Sequence, residues 1–278
     1  MSTELGRLLG RVSTLIEEFV RQPNPSPERV HQLHRAMRRL RVGLDLWGPL
    51  LPAKDRASVA VLAGRVKRLA RLVGQVRDRD IVLQLLDRSR PRGATAVESR
   101  HFHQFWGRLR DDSRTGRELL RAFLTTERDD GLLLHIGEAL ARVPRATASA
   151  GLTRLLAAEN HARHEKVRRA HRRASARPTS ERLHRLRIRL RQLRYVSDLT
   201  RTVAPTAAHP IPVSFRQLQD RLGKLHDLDV ALATLDPDVA RSPWAADLRQ
   251  LRRRVRVAAR RELDRLAVLA KRRTGSLA

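Results

Sequence analysis

Apolar residues at helical spacing occur twice in this chain, each time with the same cations beside them. Val30, Leu33, Met37, Leu40 and Leu44 follow a 3-4-3-4 pattern, which puts them on one stripe of an α-helix. Leu183, Leu186, Leu190 and Leu193 form the second copy. At about 100° per residue, His31, His34, Arg38, Arg41 and Asp45 fall within an arc of about 80° beside the first seam. His184, Arg187, Arg191, Arg194 and Asp198 take the same arc beside the second. A strand would scatter these residues over both faces, so the pattern demands helices. A second element repeats in the same order. Leu69 to Asp80 (LARLVGQVRDRD) matches Leu218 to Asp229 (LQDRLGKLHDLD), so an internal duplication is expected.

The remainder of the chain reads as helix divided by breakers. Leucine, alanine and arginine dominate, aromatics are 3%, and no period-two alternation is sustained. The spacing predicts helices over about 3–21, 27–47, 53–87, 94–124 and 130–143 in the first half. A turn is expected at Ser89 to Gly93, and Pro144 marks the middle. A helix over about 148–175 precedes Arg177 to Glu181, and the second seam helix follows to about Val203; then come a loop bounded by Pro205, Pro210 and Pro212, a helix to about Leu235, a loop at Pro237 and a last helix from Ser242-Pro243 to about Arg272. Ser26-Pro27-Glu28 supplies an N-cap, a first-turn proline and an early acid, and Pro178-Thr179-Ser180-Glu181 resembles it. Long helices with short links are expected to assemble as two antiparallel bundles related by a pseudo-twofold.

The charge is large and of one kind. The 278 residues carry 58 Lys and Arg against 29 Asp and Glu, a net charge of +29, and all but five of the cations are arginine. Such an excess repels itself, and a polyanionic partner relieves it. Arginine offers a planar fork of donors that matches phosphate oxygens. There are no cysteines, which excludes disulfides and thiolate metal sites. Met1 to Gln22 lacks the apolar run of a signal peptide, and no uncharged stretch approaches the ~20 residues of a membrane span. A cytoplasmic protein without membrane attachment is therefore expected.

The cations lie at the edge of the core, not on the face most open to water. Arg39, Arg185 and Arg189 lie further round and read as solvated charges. Asp45 and Asp198 stand four residues after Arg41 and Arg194 and could each hold one guanidinium. Acids on neighbouring helices could pair with the rest; the competing reading is a rail of phosphate-binding donors. Lys67 and Arg71 share a face on the third helix. Arg216 is the repeat equivalent of Lys67, and His226 of Arg77. Gly74 and Gly223 are mid-helix glycines, which cost about 1 kcal/mol each relative to alanine; close approach of another helix is the expected compensation. Asp78, Asp80, Asp227 and Asp229 could restart a helix, anchor arginines or ligate a metal, and anchoring is favoured. The pairs His31/His34 and His161/His164 lack a converging third ligand, so no metal is expected; His31 and His184 read as donors to an anion. No acid–base constellation beside them supports hydrolysis. A nucleic-acid binder is the alternative that net charge permits, but the few aromatics argue against base stacking.

These motifs resemble the CHAD domain (conserved histidine α-helical domain) over essentially the whole chain. The family pattern is a histidine, an arginine three later and basic residues at +7, +8 and +10, once per half. The second copy fits as His184, Arg187, Arg191 and Arg194, followed by Tyr195, with Gln192 departing at +8. The first fits as His31, Arg38, Arg39 and Arg41, with His34 in place of the arginine. The segments holding Lys67, Arg71, Gly74 and Arg77-Asp78, and Leu218, Gly223 and His226-Asp227, are similar to the family's as well. The resemblance implies one all-α CHAD domain over 1–278, built from repeats over about 1–143 and 145–278. It implies two four-helix bundles of up-down hairpins around a basic central channel. It implies non-enzymatic binding of inorganic polyphosphate, without cofactor, by His31, His34, Arg38, Arg41, Lys67, Arg71, Arg77, His184, Arg187, Arg191, Arg194, Arg216 and His226, and association with polyphosphate granules. Relatives are often fused to a triphosphate-hydrolysing β-barrel. This chain has no strand-rich stretch for one, so such activity is expected on a separate polyphosphate-metabolising protein.

Overall fold

The computed structural model describes residues 2–88, 95–142, 145–205 and 211–275. Among the described residues every regular element is helical. In chain order these are α1 (Ser2–Arg21), α2 (Pro27–Trp47), a short 3-10 helix (Gly48–Leu50), α3 (Ala53–Arg88), α4 (Ala96–Asp129), α5 (Leu132–Ala141), α6 (Arg145–Ala176), α7 (Ser180–Val203), α8 (Val213–Thr234), α9 (Pro237–Ala240) and α10 (Pro243–Gly275). The turn expected at Ser89 to Gly93 lies outside the described residues, as do Pro144 and Pro210.

Local chemistry sets the ends of the two seam helices. Ser26 Oγ accepts from the Arg29 amide at 3.4 Å, with Pro27 and Glu28 in the first turn of α2. Thr179 Oγ1 accepts from the Arg182 amide at 3.3 Å ahead of α7. Two boundaries differ from expectation. α4 runs on to Asp129, where Gly131 ends it with a φ of +65°, a conformation glycine adopts without strain. The expected loop at Pro237 is a single helical turn. Asp236 caps it through Val239 N at 3.0 Å, and Pro237 is pre-set for the first helical position.

The chain forms two compact units. Unit 1 comprises Met1–Leu83, Arg108–Ala158 and Asp198–Ala208; unit 2 comprises Gln84–Gly107, Glu159–Ser197 and His209–Ala278. The boundaries fall inside α3, α4, α6 and α7, so these units and the halves of the sequence repeat are different divisions of the chain.

Each unit is built on one seam. In unit 1, Val30, Leu33, Met37 and Leu40 are fully buried, as are Leu69 and Val73 of α3, and α1 packs on α2 with Val12, Leu15, Ile16 and Phe19 buried. In unit 2, Leu183, Leu186, Leu190 and Leu193 pack with Leu218, Leu222 and Leu225 of α8, Val167 and Ala174 of α6, and Ala259 and Leu263 of α10.

A duplicated arginine clamp ties the loop ahead of each seam helix. In unit 1, Asp80 of α3 accepts from Arg117 of α4 and from Ser113 Oγ at 3.2 Å. Arg117 also donates to the Pro25 carbonyl at 3.2 Å, and Arg121, one turn on, donates to the carbonyls of Gln22, at 2.7 Å, and Pro23. In unit 2, Asp229 of α8 accepts from Arg252 of α10 at 2.5 Å. Arg256, again one turn on, donates to the Pro178 carbonyl at 3.0 Å. Asp80 and Asp229 are thus arginine anchors.

The two clamps differ in burial, and this yields a stability prediction. The Asp80 and Arg117 side chains are 4% and 10% exposed, against 36% and 25% for Asp229 and Arg252. Asp80→Ala leaves a buried guanidinium unpaired and is expected to cost about 3–5 kcal/mol. Asp229→Ala breaks a solvated pair and is expected to cost about 1 kcal/mol or less. Urea denaturation of the two variants checks the difference.

Candidate functional site

The cations beside the unit 1 seam are ordered by a contact from α3. Arg77 Nε donates to His31 Nδ1 at 3.1 Å. A ring nitrogen can accept only when unprotonated, so His31 is neutral here and its proton is on Nε2. Burial lowers its pKa below the ordinary histidine value; Arg77, Arg35 and Arg38 lower it further, while Glu28 opposes them. Arg77 itself lies 4.0 Å from Asp78.

Next along the arc, His34 is only 3% exposed. The place where a Cβ on Gly74 would stand is 3.6 Å from its Nε2, an ordinary packing contact. α3 therefore approaches α2 at this point, as the mid-helix glycine implied. The burial removes His34 from the solvent-facing set, whereas Arg187, its counterpart in the repeat, is half-buried. Arg38 and Arg41 are half-buried, and Lys67 and Arg71 are exposed. Among the described residues no acid pairs with Arg41, Lys67 or Arg71.

Unit 2 repeats the contact with a different residue. His226 stands where Arg77 stands, and its ring centroid is 5.3 Å from that of His184, the equivalent of His31. An open cleft is lined by Ser180, His184, Arg187, His226 and Asp229 over a floor of Leu183, Leu222 and Leu225. Burial lowers the His184 pKa, as do Arg187 and Arg191, against Asp229. Arg191 and Arg194 are half-buried beside the seam, and the Arg194 guanidinium lies 5.8 Å from the Tyr195 ring centroid. Arg216 is exposed and donates to the Ile211 carbonyl at 3.4 Å. Gly223 has open space where a side chain would be, so the close approach seen at Gly74 is not repeated.

One expected pairing is replaced. Asp198 accepts from Arg201 at 3.0 Å and lies 3.9 Å from Arg39, and it does not hold Arg194. An acid placed ahead of its base on a helix is the better orientation, which favours Arg201 over the preceding Arg194. Sequence reasoning also missed Arg117, Arg121, Arg252 and Arg256, which hold the loops from distant helices. No local feature of the sequence distinguishes these four among the many arginines of α4 and α10.

Chemically, the site is a set of guanidinium and imidazole donors with an apolar floor. It suits oxyanions with several accepting oxygens. Among the described residues no group of three or more His, Asp or Glu is placed to hold a metal ion, and no helix is long and apolar enough to cross a membrane. The charge is unequally shared. Unit 2 has 32 Lys and Arg against 13 Asp and Glu, and unit 1 has 26 against 16.

Comparison with known proteins agrees with this architecture. The CHAD domain family model matches residues 5–236. A search of curated proteins by sequence returns no match. Among solved structures, the crystal structure of the CHAD domain from the plant Ricinus communis is similar at 21% identity and a TM-score of 0.63, over 95% of this chain and 88% of that one. PptA from Streptomyces chartreusis is similar at 17% identity and a TM-score of 0.57, over 94% of this chain and 98% of that one.

The His31 contact makes a direct prediction. A histidine whose folded pKa is depressed contributes stability above its unfolded value, near pH 6.5, and loses it as pH falls through the lower folded value. NMR titration is expected to show His31 as the Nε2–H tautomer, protonating below the ordinary range. Arg77→Ala is expected to move its pKa upward.

Proposed function

We propose a function from one premise: this chain belongs to the CHAD domain family. On that premise it is a binding module for inorganic polyphosphate, without hydrolytic chemistry of its own. The observation that carries this reading is the repeated pairing of a stripe histidine with a facing cationic or titratable residue. His31 meets Arg77 and His184 meets His226, each beside half-buried arginines at the edge of a leucine seam. A backbone of linked phosphoryl groups presents oxyanions at regular intervals, and helical cations at i, i+3 and i+4 present donors in a matching row. Arg38 and Arg41 in unit 1, and Arg187, Arg191 and Arg194 in unit 2, supply the main grip. Lys67, Arg71 and Arg216 add exposed charge. In a cell such a module would collect on polyphosphate-rich granules and could hold a separate polyphosphate-metabolising enzyme there.

Nucleic acid is the rival ligand, since its phosphates offer the same charge. It differs in needing partners for its bases, and the arcs beside the seams offer only Tyr195 among aromatics, itself buried.

Charge reversal at Arg38, Arg41, Arg191 and Arg194 together is expected to lower polyphosphate affinity at least ~100-fold and to reduce the slope of log K against log salt by about three. Circular dichroism confirms that the variant is folded. Unchanged affinity in a folded variant would falsify the reading. Duplex DNA that displaces long polyphosphate at equal phosphate concentration would favour the rival, and release of orthophosphate during incubation would overturn the non-enzymatic part. A ladder of chain lengths reads whether both arcs serve one ligand: affinity then keeps rising past the length that saturates a single arc.

A further inference from the structure

The two repeat copies place different chemistry at the same contact, and this has a consequence for how each binds an anion. In unit 1 the partner of the stripe histidine is Arg77, a permanent cation that uses the histidine as acceptor at 3.1 Å. Protonating His31 would break that hydrogen bond and set two cations against each other, so the pair stays singly charged. In unit 2 the partner is a second imidazole, His226, 5.3 Å away across one cleft. Neither ring holds a fixed charge, and each can accept a proton.

We propose that the His184–His226 cleft takes a phosphoryl group together with protons, while the His31–Arg77 pair takes one without proton uptake. The proposal rests on the polyphosphate reading above and adds its regulation by pH.

The surroundings of the cleft set the direction. Facing His184 are Arg187 and Arg191 from α7, and His226 and Asp229 from α8. α10 enters through Arg252, which holds Asp229 at 2.5 Å and reaches Ser180 Oγ at 3.4 Å. With no anion bound, burial and the two arginines disfavour a charged His184, and Asp229, the carboxylate that opposes them, is engaged by Arg252. Two imidazoles this close also titrate as a pair, with the second proton harder to add than the first. A phosphoryl group in the cleft reverses the balance. It supplies negative charge to both rings and accepts from their N–H groups, and so favours the doubly protonated state. Binding then draws protons from solution, and affinity must fall as pH rises. At His31 the facing groups are Glu28, Arg35 and Arg38 of α2, and Arg77 of α3 with Asp78 beside it. There the charge is already present on Arg77 at every physiological pH.

The difference is a property of one residue in each copy, so exchange of that residue tests it. Polyphosphate of long chain length is the probe, because its internal groups keep their charge across the range and only its ends titrate near pH 6. Affinity of the wild-type protein is expected to fall at least about tenfold between pH 6 and pH 8, which corresponds to about half a linked proton averaged over that range. His226→Arg recreates the unit 1 pair. It is expected to flatten this dependence and to bind more tightly than wild type at pH 8. His184→Gln with His226→Gln is expected to be equally flat but weak at both pH values. Calorimetry at pH 7 in two buffers of different ionisation enthalpy counts protons, with net uptake expected for wild type and less for His226→Arg. A folded His226→Arg variant that keeps the wild-type pH slope and proton count would overturn the proposal. Wild-type protein that binds polyphosphate at neither pH would instead overturn the functional reading on which it rests.

Discussion

Like charges stacked along one helix repel, and α2 and α7 carry theirs at the edge of a buried leucine seam. The seam is what makes that arrangement tenable. Val30, Leu33, Met37 and Leu40 in one unit and Leu183, Leu186, Leu190 and Leu193 in the other are almost wholly removed from water. Each such side chain contributes about 1.5–3 kcal/mol by burial, while a like-charge helical pair costs only a few tenths of a kcal/mol. Burial therefore dominates, and it fixes the rotation of each helix about its axis. That rotation in turn decides which cations sit half-buried beside the core and which are left to solvent. Arg185, with Glu181, and Arg189, with Gln192, occupy the solvated side and find local partners there.

The seams, the helix starts at Ser26 and Thr179, and the placement of the cations beside the core were legible in the sequence because they depend on contacts within one helix. Periodicity and capping are local statements. What depended on a second helix was less accessible. The mid-helix glycines look alike in sequence, yet α2 approaches Gly74 at His34 and nothing approaches Gly223. His34 looks like a weaker copy of Arg187, yet it is buried beside Gly74 of α3 whereas Arg187 is half-buried. Asp198 stood four residues after Arg194 and also three before Arg201, and only the direction of the helix decides between them. The arginine anchors were foreseen from the Asp80 and Asp229 side and missed from the Arg117 and Arg252 side, since nothing local marks which of many arginines on α4 and α10 will be chosen.

The two sequence repeats share a plan but differ in chemistry. The clamp is buried in one copy and solvated in the other. The stripe histidine faces a permanent cation in one and a titratable ring in the other. Unit 2 also holds the larger share of the net charge. A protein with two equal sites responds to its ligand once; one with two unlike sites can retain it under one condition and release part of its hold under another.

The clamps also bear on how the cationic helices come to be presented at all. Arg121 reaches back 98 and 99 positions to the Pro23 and Gln22 carbonyls, and Arg256 reaches back 78 to Pro178. Contacts so distant in sequence close late, after the entropy of a long loop has been overcome. During synthesis, α2 leaves the ribosome well before the residues that secure its leading end exist, and α7 precedes α10 in the same way. Each arginine row is thus anchored only once the chain that follows it has been made.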